Sequence, residues 1–599
     1  MVTVRFVNQG KEAEVAPGTS LLTAAALAGV PVEGNCGGKG TCGKCKVRIL
    51  SGRRDGWVLA CQYNVEENTE VEFEGLKDAY RRKTALGGVA LGENVEPAVE
   101  KVFLTLNEPT VEDQTPDYER LTEALACKDI DFNLPVLAGI PRVLREGNFR
   151  VTAVLGGKRL LAVEPGDTVA RKFGVAFDIG TTTIVGSLVS LNDGEVMAVA
   201  ALTNPQNVFG ADVISRIDHA AKGPEELKQL QAKVLVAVNS IINKLLAETG
   251  VAREHVYEAA IVGNTTMSHL FLGIDPTYLA PAPFIPAVRQ PVDIAAAVLN
   301  IGICPTGRVF VLPNVAGYVG SDTVAVMLAT KIQDKTGLCL AIDIGTNGEL
   351  VMAGRGQILT CSTAAGPAFE GAQIRHGMRA ADGAIEAVKI TDDVQLKVIG
   401  SAPPQGICGS GLIDAVAEML EAGIITAGGR FINPDKEGAD LDDRIKARLR
   451  KNGQAYEFVL VPGTESAAGE DIVLTQKDIR ELQLAKGAIG VGVKVLLKEI
   501  GASTSDITEL LIAGAFGSHI NIENALKVGL LPQVPAERIV SVGNAAGDGA
   551  KLALVSKTQR QLASELASRV RHVELSTRPD FRDEFLKAIQ FSNTNNRRS

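Results

Sequence analysis

Four of the nine cysteines in this 599-residue chain stand close together near the N-terminus: Cys36, Cys42 and Cys45 in VEGNCGGKGTCGKCKVRIL, and Cys61 in VLACQ. The C-x5-C-x2-C spacing, with a return after fifteen intervening residues, supplies four thiolates, a complete ligand set for a 2Fe-2S cluster. Gly37, Gly38, Gly40 and Gly43 let the loop take positive φ and turn its N–H groups toward sulfur. A C-x2-C pair also suits tetrahedral thiolate zinc. Zinc ribbons, however, carry two such pairs, whereas this sequence has one pair and two singles. A visible absorption spectrum separates the two metals.

A second chemistry-bearing pattern occurs twice. GVAFDIGTTTIVGSLVSL around Asp178 returns 165 positions later as CLAIDIGTNGELVMAGRG around Asp343, each reading strand, D-x-G-T turn, strand. A glycine turn at a strand end brings backbone N–H groups close to an anion, and threonine hydroxyls add donors for phosphate oxygens. Carboxylates cannot neutralise phosphate, so Asp178 and Asp343 are expected to act through Mg2+, with intervening waters because Mg2+ sheds water reluctantly. Two copies so far apart imply two similar α/β halves facing each other across a cleft.

The elements that must position these residues follow from periodicity. VTVRFVN and KEAEVA alternate as a hairpin, and TSLLTAAALAGV has helical apolar spacing behind Thr19 or Ser20 as N-cap. Strand, strand, helix, cluster loop, strand resembles a β-grasp ferredoxin through about Leu76, although the first cysteine gap is five residues rather than the plant-type four and the distance to Cys61 is short. Residues 77–100 mix charge, Gly and Pro without a period and read as a linker. In 101–170, KVFLTLN reads as a strand, DYERLTEALAC and GIPRVLREG as helices, and FRVTAVLGGKRLLAVEPG as a hairpin across Gly156-Gly157. This small α+β unit shows no catalytic constellation.

Further along, PNVAGYVGSDTVAVMLAT and SVGNAAGDGAKLAL are small-residue helices suited to close packing at a hinge, and ELLIAGAFGSHI runs a hydrophobic strand into exposed glycine backbone. In this order the pieces resemble the phosphate 1, connect 1, phosphate 2, adenosine and connect 2 motifs of the acetate and sugar kinase, heat-shock chaperone and actin superfamily, over about Arg171 to Ala588. That resemblance implies an ATP site with Asp178, Gly180, Thr181, Thr182 and Thr183 in the first phosphate loop. Asp343, Gly345, Thr346, Asn347 and Gly348 form the second, and Gly514, Ala515 and Gly517 lie against adenosine. Asp322 would orient the attacking water, or simply begin a helix; Glu349 and Glu370 are further acidic candidates, and Gly409–Gly411 either lines the cleft or allows a tight helix start.

The fold expected is therefore multidomain α/β and α+β: an N-terminal β-grasp 2Fe-2S ferredoxin domain at 1–76, a linker at 77–100, a small α+β middle domain at 101–170, and a C-terminal two-lobed actin-like ATPase domain at 171–599. A net charge of −9 with no basic cluster argues against nucleic acid. No uninterrupted apolar run reaches ~18 residues and the N-terminus alternates like a strand, so a cytoplasmic protein without a membrane span is expected. Cys127, Cys304, Cys339, Cys361 and Cys408 are scattered in apolar or Gly-rich settings and read as buried packing, and the six histidines show no ligand spacing.

A one-electron centre joined to an ATP-cleaving module suggests that nucleotide turnover makes possible an electron transfer the cluster's potential alone does not. Plant-type clusters lie near about −400 mV, and a climb of ~200 mV at ~59 mV per factor of ten needs roughly 5 kcal/mol. The whole arrangement, with VGNTTMSHLFLG, IDIGTNGEL and AGPAFEG, resembles the reductive activators of corrinoid proteins. The resemblance implies ATP-dependent reduction of Co(II) to Co(I) in a partner, either a corrinoid iron-sulfur protein or the corrinoid subunit of a methyltransferase. It also implies an upstream low-potential electron donor and a homodimer through the ATPase domain. The chain has no D-x-H-x-x-G corrinoid-binding signature, which suits an activator rather than a carrier. Alternatives are an ATP-driven donor to another low-potential metalloenzyme, a small-molecule kinase with an accessory cluster, a dehydratase-type activator using Cys304 or Cys408, and a chaperone-like binding module indifferent to Cys42→Ala.

Overall fold

The structure is a computed structural model that describes residues 1–28, 30, 32, 40, 45–51, 56–72, 95–126, 129–514 and 517–591. The alternating N-terminal strands form a five-stranded sheet in the order Lys11–Val15, Val2–Phe6, Thr69–Glu72, Lys46–Ser51, Gly56–Leu59, with Val2–Phe6 parallel to Thr69–Glu72. Val4, Phe6, Val47, Ile49 and Val71 point to one side and enclose a core against the Leu21–Leu27 helix. Ser20 is the cap that starts this helix: its hydroxyl accepts the Thr23 N–H at 3.2 Å.

The second unit is a four-stranded sheet, Val99–Thr105, Arg150–Gly156, Arg159–Pro165 and Asp131–Phe132, covered by helices Asp117–Ala124 and Leu134–Glu146. The hairpin turns at Gly157 (φ +62) as expected. The second helix starts five residues before the GIPRVLREG segment, because Asn133 caps it by accepting the Val136 N–H at 3.0 Å and Pro135 sits in its first turn. Pro141 lies inside the helix. A buried polar joint ties this unit to the next. Lys101 Nζ donates to Glu164 at 2.6 Å, the Tyr257 hydroxyl donates to the same carboxylate, and His255 Nδ1 lies 3.2 Å from it. Burial pushes the Lys101 amine down despite its partner. Burial also pushes the Glu164 carboxyl up, but the Lys101, Thr168 and Tyr257 hydrogen bonds outweigh it and leave the carboxyl below its ordinary value.

Two six-stranded sheets follow. In the first, Val196–Thr203, Thr183–Ser190 and Phe173–Ile179 meander antiparallel, and Val256–Gly263 and Arg308–Val311 add in parallel. In the second, Gln357–Thr363, Gly348–Gly354 and Leu338–Ile344 meander and Ile507–Ala513 and Ile539–Gly543 add in parallel. The five-strand order is the same in both, so the sequence repeat is a structural one. Helix Pro224–Thr249 is long and apolar enough to cross a membrane by length and composition, but Leu230, Val234, Val238, Ile241 and Leu245 bury one face in the first lobe's core.

Helices Ser321–Thr330 and Ala545–Val555 lie between the sheets and share one core with both, including Ala176 and Val262 of the first and Ala341 and Val351 of the second. Their approach needs glycine: a Cβ on Gly549 would stand 2.1 Å from the Ala325 carbonyl oxygen. Beyond the Ala545–Val555 helix, the residue leading out of the linker is clasped. Glu96 donates its N–H to the Val555 carbonyl (2.7 Å) and accepts the Lys557 N–H (2.8 Å), and its carboxylate accepts the Thr558 hydroxyl at 2.8 Å.

Candidate functional site

Two of the four clustered cysteines are described. Cys45 is buried just before strand Lys46–Ser51, and Cys61 is half-buried in the turn after Gly56–Leu59. The strand pairing between Lys46 and Leu59 brings them together, so that the Cys61 N–H points at Cys45 Sγ at 3.5 Å. Gln62 Nε2 lies 3.7 Å from Cys61 Sγ. Gly40 has φ +74 and a Cβ there would meet the Gln62 side chain at 3.0 Å. Thiol sulfurs that receive N–H donors, beside a backbone that admits no side chain, fit thiolate ligands of an iron-sulfur cluster. Cys36 and Cys42 lie outside the described residues.

In the paired lobes, Asp178 and Asp343 occupy the same register, next to last in the first strand of each sheet. The turns after them close alike: the Gly180 N–H donates to Thr183 O at 2.9 Å and the Gly345 N–H to Asn347 O at 3.0 Å. A Cβ on Gly180 would meet Thr183 O at 2.7 Å, so this tight turn requires glycine. The loops meet across the cleft. Thr182 and Thr346 hydroxyls are 3.1 Å apart, and Thr346 in turn donates to Glu370 at 2.5 Å. A second link crosses nearby, from Arg379 Nη1 to the Thr203 hydroxyl at 2.9 Å. Thr183 and Gly348 begin their second strands; Gly348 is buried, and a Cβ there would strike the Thr363 hydroxyl at 2.6 Å.

Asp322, in the first turn of Ser321–Thr330, faces both aspartates. Burial pushes the Asp178 carboxyl up to about 7, with Asp322 and Asp343 adding repulsion; burial pushes Asp343 to about 7, aided by Asp322, and Asp322 itself to about 6. Glu349 joins them because it is the direct cross-strand partner of Asp343, and burial with repulsion from Asp322 and Asp343 holds it well above the ordinary range. Carboxylates gathered this way favour a cation. Among the described residues no three His, Cys, Asp or Glu side chains converge to hold a metal directly, so Mg2+ here would be held through water and phosphate oxygens.

The segment after Ile507–Ala513 runs against this edge. Gly514 has φ +92, its N–H donates to Gly543 O at 2.9 Å, and a Cβ there would lie 2.8 Å from Asp343 Oδ1. Gly517 follows, with its N–H on Gly514 O at 3.1 Å, while Ala515 lies outside the described residues. The Gly409–Gly411 segment starts a buried helix; a Cβ on Gly411 would meet the Ile385 carbonyl oxygen at 2.2 Å, which makes it a close-packing glycine.

Three supporting residues were missed in the sequence. Asn264 caps helix Thr265–Leu272 and donates to the Thr181 hydroxyl at 3.0 Å; an Asn directly after an apolar strand is the capping signal that marks it. Asn204 Nδ2 donates to Gly180 O at 2.9 Å. Arg216 Nη2 donates to Thr181 O at 2.5 Å, and its signal is an arginine on the same helical face as Val213, Ile217 and Ala220.

Comparison with known proteins covers nearly the whole chain. Family profiles match a 2Fe-2S iron-sulfur cluster binding domain at 5–66, the RACo linker region at 92–170, the RACo middle region at 173–335 and the C-terminal domain of RACo, the ASKHA domain, at 337–599. The four-stranded unit is thus the region the family calls its linker. The corrinoid activation enzyme RamQ of Eubacterium limosum is 34% identical over 596 residues, 98% of this chain and 99% of that protein. The [Co(II) methylated amine-specific corrinoid protein] reductase of Methanosarcina barkeri is 24% identical over 70% of this chain and 77% of its own length. A solved structure of a reductive activator for corrinoid, iron-sulfur protein superposes with TM-score 0.75 at 36% identity, covering 99% of this chain and 98% of that one.

Proposed function

The chain belongs to the RACo family of corrinoid-protein reductive activators, and we propose that Cys36, Cys42, Cys45 and Cys61 hold its 2Fe-2S cluster while the cleft between Asp178 and Asp343 holds MgATP. The protein is an ATP-dependent activator that delivers one electron to a corrinoid protein, returning Co(II) to Co(I). The cluster, when bound, would supply that single electron. The protein's own residues do the rest. The Gly180, Thr181, Thr182 and Thr183 turn and the Gly345, Thr346, Asn347 and Gly348 turn offer N–H and hydroxyl donors to phosphate oxygens from opposite sides. Asp178 and Asp343 orient waters around Mg2+, Asp322 orients the attacking water, and Gly514, Ala515 and Gly517 present bare backbone to adenosine.

The observation that supports this division most is the meeting of Thr182 and Thr346, which sets two anion-binding turns face to face beside three aspartates. Cleavage there is felt by both lobes, because the helices Ser321–Thr330 and Ala545–Val555 pack in one shared core. The molecule divides functionally at 1–76, 77–100, 101–170 and 171–599. It works in the cytoplasm as a homodimer through the ATPase domain, without a membrane, and takes electrons from an upstream low-potential donor. The test is anaerobic mixing of dithionite-reduced protein, MgATP and Co(II) corrinoid proteins while following the Co(I) absorption band. Equal Co(I) formation without nucleotide overturns the coupling, and transfer of the γ-phosphoryl group from ATP to an added small alcohol or acid, leaving ADP, would make the protein a kinase instead.

A further inference from the structure

Beneath the first phosphate turn lies a buried cation that, among the described residues, touches no carboxylate. Arg216 is fully buried, and its donors go to Gly210 O (3.0 Å), Gln206 Oε1 (3.1 Å), Met267 Sδ (3.2 Å), Asn207 Oδ1 (2.5 Å) and Thr181 O (2.5 Å). Every one of these acceptors is neutral. The nearest carboxylates act on it only across a distance, Asp212 and Glu370 both favouring its charge without touching it; Asp212 caps the helix by accepting the Ser215 N–H at 2.8 Å, and Glu370 accepts the Thr346 hydroxyl. Among the described residues two other buried bases contact carboxylates, Lys101 with Glu164 and Arg120 with Asp113, both at 2.6 Å. Lys486, buried without a carboxylate, donates to Gln590 O and lies over the Phe591 ring. The Arg216 guanidinium keeps its charge.

Burying a charge without a partner is costly, and an adjacent Asn and Gln in place of Asp and Glu leave that cost standing. We propose that Arg216 is kept unpaired so that its charge draws the nucleotide phosphates onto the Thr181 turn, the bound anion completing the ion pair. It is a positioning residue acting through Thr181, and this inference rests on the reading of the cleft as the ATP site. It assigns to the turn a long-range attraction that grows with the charge of the nucleotide, alongside the short-range hydrogen bonds of the loop itself.

Asn207→Asp tests this with almost no change of shape, since it keeps the acceptor on Nη2 and adds the missing negative charge. The full-length protein is titrated calorimetrically with MgATP, MgADP and adenosine, and its melting is recorded. The expected result is a melting temperature equal to or above that of the parent, about tenfold weaker MgATP binding, a smaller loss for MgADP and none for adenosine. Gln206→Glu, which neutralises Nη1 instead, repeats the pattern. Arg216→Lys keeps the charge and therefore retains the ATP-over-adenosine preference that Arg216→Gln loses. Unchanged MgATP affinity in Asn207→Asp, or an equal loss for adenosine, overturns the proposal. Failure of the parent protein itself to bind MgATP overturns the reading of the cleft instead.

Discussion

Thr182 and Thr346 are 164 residues apart in the chain and 3.1 Å apart in the fold, each at the tip of a turn that follows a strand-end aspartate. Because Thr346 also donates to Glu370, its hydroxyl is fixed from both sides. Thr346→Val keeps the shape and removes both bonds. ATP hydrolysis stimulated by the corrinoid protein should fall by about 100-fold, the usual loss for one preorganised donor at a site of developing charge. A steady-state phosphate-release assay checks this, and a rate within threefold of the parent would remove Thr346 from the phosphate site.

The cysteine and carboxylate sites sit in separate cores, so they should fail separately. Asp343→Asn should abolish ATP-dependent Co(I) formation and leave the visible iron-sulfur spectrum intact. Cys45→Ala should lose that spectrum and keep MgATP binding. Normal Co(I) formation by Cys45→Ala would mean the electron takes another route.

The crossing of the two central helices leaves no room at Gly549, where an added Cβ would stand 2.1 Å from the Ala325 carbonyl oxygen. Gly549→Val should destabilise the paired lobes by about 3 kcal/mol or more through overpacking. Calorimetry should show the main melting transition lowered, with ATP hydrolysis lost and the visible spectrum unchanged. Retention of the parent melting temperature would contradict this packing.

The Glu164 carboxyl is held below its ordinary value in the fold, so the stability it contributes is whole above about pH 4.5, where the unfolded group is ionised. That contribution is lost as pH falls through the lower, folded value; Lys101 stays protonated throughout and adds no slope. Glu164→Gln leaves Lys101 buried and unpaired, at a cost of about 3 kcal/mol at neutral pH. It should also flatten the acid side of a melting temperature against pH curve. Replacing both partners, Lys101→Met with Glu164→Leu, should recover much of the loss. An unaltered acid limb in Glu164→Gln would place the acid sensitivity elsewhere.

What could be read in the sequence was what a local turn or period decides. The D-x-G-T repeats specify their own turns through Gly180 and Gly345, and the Arg150–Pro165 hairpin is announced by its glycines. The small-residue helices declare close packing through Gly549. What escaped was decided at long range. Arg560 and Glu258 pair at 3.0 Å across 302 positions, and Tyr257, Lys101 and Glu164 converge from three different strands. Neither pattern leaves a period or a spacing. Glu349 was named as an acidic candidate, but its place beside Asp343 could not be read, since it depends on the register of an antiparallel pair. The Leu134–Glu146 helix was cut short because Asn133 and Pro135 were not read as its cap and first turn.

The clasp of Glu96 onto Val555 and Lys557 gives the nucleotide cleft a mechanical reach. One end of the Ala545–Val555 helix begins at Asn544, close enough to Asp178 to draw its carboxyl down; the other end, about 16 Å away at 1.5 Å per residue, grips the root of the segment that leads back to the cysteines. Pressed against Ala325 at Gly549, such a rod can carry a displacement from one end to the other. A tilt imposed at Asp178 would then reach Glu96, the point at which the cysteine-bearing domain is joined to the nucleotide lobes.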